Sequence, residues 1–417
     1  MMGRAGGWRA VALIGGLCVA GGPVWADTTD DKIAQLEAQV RALQGQLDQL
    51  KQQRESDRKE LASVKEAAHG PLGSLDLGQN TGVMVTGAVD LAYQANESAS
   101  RTFENGHFNP IFLGMLGENV LMQAELEYEN GGDEKMLEYA TIDWMVNDYL
   151  TLEGGKFLMP FGEWNDRLHP TWINKFPTRP IIFDEVLPGE WTEIGAQARG
   201  AVGINKFLGT DRPVDVEYTA YLTNGLEGAS GASLRDLRDN VTDSNDNIAV
   251  GTRWGLRVLP WGSIGTSWYR GAYTTDGTLD LNMWGLDWAA HPTESLEIRG
   301  EYILTFQEVA TPNTDQEDLL KKGWYLQAAY SLNDLAVWLG DLPGSRYLGN
   351  TELVGRFSQA ALETTSGTDN QHEFGIGVNY YLRPSLVWRL AYEWSQENAG
   401  TAKVDDDLFI TQIAYGF

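Results

Sequence analysis

The side chains in this sequence best placed to act on another molecule are bases set among carboxylates. Arg253 and Arg257 alternate with Trp254, Leu256 and Val258, and Arg299, Arg356 and Arg389 keep the same period of two. On extended strands each of these bases would face away from the apolar side. Arg167, Lys175 and Arg179 belong to a stretch rich in proline and aromatic residues. Fixed cations along a narrow passage attract anions, because low-dielectric walls focus their field. The same bases could instead pair across strands with carboxylates such as Glu297, Glu301, Glu352 and Glu393. The stretch holding Arg167 also carries Glu163, Asp166, Asp184, Glu185 and Glu190, more acids than bases, which weakens the case for an anion site.

Other chemistry is faint. His107 and His169 stand alone and read as hydrogen-bonded loop residues. Asp243-Ser244-Asn245-Asp246-Asn247 has the start of a calcium loop, but Ile248 replaces the turn glycine and Trp254 the closing glutamate. Asp405-Asp406-Asp407 could bridge divalent cations to lipopolysaccharide, although a solvated loop is the simpler reading. No Ser/His/Asp, Cys/His or paired-carboxylate arrangement has an interpretable spacing, so neither enzyme, metal nor cofactor is expected. The formal charge of −27 argues against nucleic acid as a partner, since phosphate binding needs clustered Lys and Arg.

What must hold these residues begins with an export signal. Residues 1–26 have a basic start at Arg4 and Arg9, an apolar run from Ala10 to Ala20 and a small-residue cleavage site at Val24-Trp25-Ala26. Cys18, the one cysteine, falls within the apolar run after Leu17, which suits neither a lipid anchor nor a disulfide. Residues 27–69 then show a heptad seam, Ile33, Leu36, Val40, Leu43, Leu47 and Leu50, resuming in phase at Leu61 and Val64. A lone helix of this kind has no core, so the expectation is a periplasmic coiled coil that assembles with its own copies, as a trimer. Residues 70–81 form a linker.

Over residues 82–417 the period becomes two. Val120, Met122, Ala124, Leu126 and Tyr128 alternate with Gln123, Glu125, Glu127 and Glu129, and the pattern recurs in about sixteen segments. These segments are longer than soluble strands and suit a tilted span of about 9–11 residues. Tight connections take turns with long polar ones, and many of the 15 Trp and 16 Tyr sit near strand ends. The expected fold is all-β: a transmembrane antiparallel barrel of about sixteen strands, wide enough for a water-filled lumen, behind the helical coiled coil. An even count puts both ends on one side, which makes Leu332 to Gly349 an unusually long periplasmic turn. Phe409, Ile413, Tyr415 and Phe417 share a face of the last segment and resemble the terminal signature by which such barrels are recognised for assembly.

The longest connection, residues 159–191, holds Pro160, Pro170, Pro177, Pro180 and Pro188 with several aromatics. That composition predicts a packed loop with its own small core, a candidate constriction. Gly155-Lys156-Phe157, Pro160-Phe161-Gly162, His169-Pro170-Thr171-Trp172-Ile173-Asn174-Lys175 and Arg179-Pro180 carry a resemblance to the phosphate-selective porin O and P family. Gly323-Trp324-Tyr325-Leu326-Gln327, Glu352-Leu353-Val354-Gly355-Arg356-Phe357-Ser358 and Gly377-Val378-Asn379-Tyr380-Tyr381-Leu382 extend it. The resemblance implies a trimeric sixteen-stranded channel and rationalises the long turn. Its expected function is passive diffusion of small hydrophilic solutes, anions such as phosphate included, across an outer membrane. Its partners would then be lipid, lipopolysaccharide and the barrel-assembly machinery. Two other readings compete: a receptor-type porin for a larger ligand such as a siderophore, and a structural tether acting through the coiled coil.

Overall fold

The computed structural model describes residues 74–76, 81–96, 101–104, 106–129, 132–189, 191–204, 213–310, 316–340, 342–365, 367–399 and 402–417. The expected signal segment and coiled-coil seam lie outside the described residues.

Alternation of apolar and polar side chains gives sixteen long strands. They are β1 (Thr81–Asn96), β2 (Phe108–Leu116), β3 (Val120–Glu129), β4 (Glu134–Asn147), β5 (Leu150–Leu158), β6 (Thr192–Ile204), β7 (Val214–Thr223) and β8 (Ala249–Val258). There follow β9 (Gly262–Ala272), β10 (Asp280–Thr293), β11 (Leu296–Ala310), β12 (Gln316–Ser331), β13 (Thr351–Thr364), β14 (Gly367–Arg383), β15 (Leu386–Ala399) and β16 (Leu408–Gly416). Each pairs antiparallel with the next, and β16 returns to β1 with Ala88 opposite Gly416 and Asn96 opposite Leu408. Closure pairs both edges that the barrel sheet would otherwise expose. Short additions at Ser74–Asp76, Thr102–Glu104 and Ala402–Asp405 extend the rim.

The two faces obey the expected parity. Val89, Leu91, Trp254, Trp284, Tyr302, Leu353, Trp388 and Leu390 are exposed on the outside, where a barrel in a bilayer meets lipid. Their neighbours Asp90, Arg253, Glu301, Glu352 and Arg389 are buried on the inside. Ile413, Tyr415 and Phe417 lie exposed on one outer face of the last strand, and Phe409 alternates in phase with them. Sequence periodicity places β12 later, at Lys322, because polar Gln316, Glu317 and Asp318 break its pattern. Cross-strand pairing with Glu308 to Ala310 nevertheless carries the strand out to Gln316.

Most connections on the side of the described chain ends are tight. At Asp148-Tyr149 the Asn147 side chain accepts the N–H groups of Tyr149 (2.9 Å) and Leu150 (3.0 Å), a side-chain substitute for a backbone turn. The longest of these connections is the segment between β12 and β13, which contains helices Asn333–Leu339 and Ser345–Leu348 and exposes Val337 and Trp338.

Candidate functional site

The loop from Met159 to Trp191 folds into the lumen. Its ends are tied together: the Met159 N–H donates to the Trp191 carbonyl (3.0 Å), and the Asn165 amide donates to the Met159 and Trp191 carbonyls (2.9 and 3.1 Å). Phe161, Ile182, Val186, Leu187 and Trp191 are almost wholly buried. Trp164 stacks on Phe183 at 4.6 Å between centroids, Phe161 meets Trp191 at 5.4 Å, and Trp191 stands edge-on to Tyr269 of β9 at 4.9 Å. Side chains of this size contribute roughly 1.5–3 kcal/mol each when fully buried, so the loop and the wall share a real core. Glu193 at the loop's exit accepts hydrogen bonds from the Trp191 indole (2.7 Å), the Gly225 N–H (3.1 Å) and the Thr223 hydroxyl.

Polar clamps fix this loop to the far wall. Glu301 of β11 accepts the N–H groups of Glu163 (3.2 Å) and Trp164 (2.7 Å), and the Gly162 N–H donates to Ser267 of β9 (3.0 Å). The Thr305 hydroxyl donates to the Val186 carbonyl at 2.8 Å. Arg356 of β13 donates to the Thr178 carbonyl and hydroxyl (2.6 Å each) while pairing with Glu373 (2.8 Å) and Glu393 (3.0 Å). Arg389 of β15 donates to the carbonyls of Thr171 (2.6 Å), Trp172 (3.2 Å) and Asn174. Close packing needs bare backbone opposite the loop's rings. A Cβ at Gly285 would stand 2.8 Å from the Phe161 ring, one at Gly375 2.5 Å from Phe176, and one at Gly416 2.6 Å from Trp172. Sequence reading passed over these glycines; the available signal was an isolated glycine inside a strand, which marks close approach of another group.

The eight bases singled out in the sequence are brought to the lumen in two groups. Lys175 (2.7 Å from Glu352), Arg299 (2.7 Å from Glu297), Arg356 and Arg389 lie between the loop and the β11–β15 wall. They act as fasteners there, and the pairings with Glu297, Glu352 and Glu393 are those weighed against an anion ladder. Arg253 pairs with Asp287 (2.7 Å), and Arg257 with Glu217 (2.7 Å). Arg167 reaches Asp166 (3.1 Å) and Glu217 (2.9 Å), and Arg179 lies 3.5 Å from Asp184. Glu190 lies outside the described residues.

His107 is not isolated, in contrast to the reading of the sequence alone. Its Nδ1 is 3.1 Å from Asp90 and its Nε2 is 2.7 Å from Glu129, a geometry that brings together residues from β1, the β1–β2 connection and β3. Burial disfavours the charged ring, but hydrogen bonds to Asp90 and Glu129 outweigh it and push the His107 pKa from 6.5 up to about 10. Its stabilising effect is therefore full below about pH 6.5 and lost as pH rises through about 10. The His107 ring should titrate near pH 10 by NMR, and Asp90→Asn should lower that value; a ring titrating near 6.5 would refute the pairing. Conversely, burial lowers His169 in the loop to about 4, so it is neutral where an ordinary histidine is half charged. His107, Glu127 and Glu129 offer ligand atoms within 4.8 Å of one another, the donor types a divalent ion accepts, although both His107 nitrogens already face carboxylates.

The loop leaves three cavities along the opposite wall. An outer one of about 560 Å³ is lined by Glu129, Glu134, Lys135, Arg179, Arg235 and Arg238. An inner one of about 530 Å³ is lined by Glu125, Thr141, Glu153, Arg167, Arg199 and Glu217 and reaches the turn at Asp148. Between them a neck of about 110 Å³ is walled by His107, Asn109, Glu127, Glu138, His169 and Arg179. Glu127 and Arg179 line both outer cavity and neck, and Leu158, His169 and Pro170 both neck and inner cavity, so the three succeed one another across the barrel.

Residues 229–417 match the family described as phosphate-selective porin O and P. No curated protein matches the sequence. Among solved structures, the outer-membrane channel DcaP of Acinetobacter baumannii shares the fold with a TM-score of 0.56 at 10% identity, over 83% of this chain and 100% of that one. The anion-selective porin from Comamonas acidovorans gives 0.56 at 10% identity, over 81% and 100%. A trimer form of OmpT from Vibrio cholerae gives 0.54 at 10% identity, over 81% and 100%. A closed sixteen-stranded wall and a lumen holding a clamped loop give the chain the fold of an outer-membrane β-barrel, and its residues 229–417 match the phosphate-selective porin O and P family.

Proposed function

We propose that the protein is a passive channel for small hydrophilic solutes, with its water path running between the clamped loop and the wall built by β2 to β8. The observation that carries this reading is the succession of outer cavity, neck and inner cavity along that wall. Of the bases expected to line the pore, Arg167, Arg179 and Arg253 border these cavities, Arg257 pairs with Glu217 on the wall, and Lys175, Arg299, Arg356 and Arg389 fasten the loop. Purified mature protein in a planar bilayer should give stepwise conductance; a membrane that stays silent at high protein concentration would overturn the reading.

The loop's aromatic rings favour a channel over a receptor for a large ligand. Phe161, Trp164, Phe183 and Trp191 are spent mainly on the loop's own core, so that Trp164 at the neck and Trp191 at the outer cavity present little of their surface to a solute. The proposed assembly is a trimer, held in part by the heptad seam. Deleting residues 27–69 should lower the heat stability of the oligomer while conductance persists, and an unchanged oligomer would exclude that role for the helix.

A further inference from the structure

The charges along the proposed path are unequal. From the wall, Asp90, Glu125, Glu127, Glu138, Asp143 and Glu153 turn inward, all buried at alternate or bulge-adjacent strand positions. Arg199 of β6 answers two of them, at 2.6 Å from Asp143 and 2.8 Å from Glu153. Across the path the loop presents Arg167 and Arg179, each beside a carboxylate of its own, Asp166 and Asp184. The inner cavity sets Glu125, Glu153, Asp166 and Glu217 against Arg167, Arg199 and Arg253. At the neck, Glu127 and Glu138 with nearby Asp90 and Glu129 face Arg179 and His107. The bases that would reverse this balance, Lys175, Arg299, Arg356 and Arg389, stand on the other side of the loop, packed beneath it.

We infer that the channel selects cations over anions, and that its preferred solutes are small molecules bearing a positive group such as an amine. The inference rests on the channel reading above. Counted with Asp90 and Glu129 beside it, the carboxylates around this neck of about 110 Å³ outnumber Arg179 and His107, and low-dielectric walls focus their field on the path. Cations are concentrated there and anions are excluded. The family's name points to the opposite solute, so the sign of selectivity separates this inference from a transferred one.

The test is the reversal potential of the full mature protein in a planar bilayer under a tenfold KCl gradient. The expected value lies on the potassium side, with potassium at least about threefold more permeant than chloride. The double variant Glu127→Gln and Glu138→Gln should lower that ratio by at least about twofold with side-chain volume kept. Should this variant fail to assemble, Glu153→Gln at the inner cavity should lower it by a smaller factor and Arg199→Gln should raise it. A potential at zero or on the chloride side overturns the inference while leaving the channel reading intact. A potassium-side value that none of these variants moves also overturns it, and absence of any conductance overturns both.

Discussion

Arg356→Ala should open the lumen. The guanidinium is fully buried, holds the loop by the Thr178 carbonyl and hydroxyl, lies 4.5 Å from the Phe176 ring and pairs with both Glu373 and Glu393. Removing one member of a buried ion-pair network costs about 3–5 kcal/mol, because the partners remain charged and unsolvated. Sixteen closed strands can absorb that loss without unfolding, and the loop cannot. The expected result is a larger and noisier single-channel conductance, with the loop newly open to protease cleavage between Thr171 and Arg179. A conductance equal to that of the parent would show that Arg356 does not hold the loop. The triple variant lacking Glu373 and Glu393 as well, with Gln at both, should regain part of the loss, since the uncompensated charges are then gone.

The barrel was legible in the sequence because its signal is local. A period of two along each strand assigns every second residue to lipid and the rest to the lumen, and Trp254 against Arg253 or Trp388 against Arg389 suffices to set the phase. Sixteen such segments and an even count then follow. The loop's composition also announced a packed loop. What it packs against was not legible, since Arg356 and Thr178 are 178 positions apart and no periodicity links them. The role of the bases was open for the same reason. Parity brought Arg299, Arg356 and Arg389 correctly to the inside but could not say whether water or a loop would meet them there. His107 is a parallel case: Asp90, Glu127 and Glu129 converge on it only after β1, β2 and β3 have paired.

Phe161→Ala should loosen the same loop from its other end. The ring is wholly buried against Trp191 and over the bare backbone of Gly285. Truncating a phenylalanine in such a place costs about 3–5 kcal/mol, from lost burial and from the cavity left behind. The wall on either side is hydrogen-bonded strand to strand, so the loss should fall on the loop: rapid conductance flicker, and faster amide exchange at Gly162 and Trp164, whose N–H groups depend on Ser267 and Glu301. Exchange as slow as in the parent would place the loop's stability elsewhere. Gly285→Val makes the complementary change, forcing a side chain into the space the ring occupies, and should give the same phenotype with the ring still present.

The loop is fastened mainly to β9 to β16, while the cavities run along β2 to β8. The family match, residues 229–417, begins just before β8 and therefore covers the half of the barrel that holds the loop, leaving out nearly all of the wall that a solute would touch. The two halves thus answer to different demands. Substitution in the second half is constrained by rings seated on glycines and arginines buried against carbonyls, where a change of one side chain unseats the loop. Carboxylates of the first half that touch no loop residue, such as Asp143 and Glu153, can be exchanged with less effect on that fit. A lineage built this way can keep its family signature intact and still change what it admits.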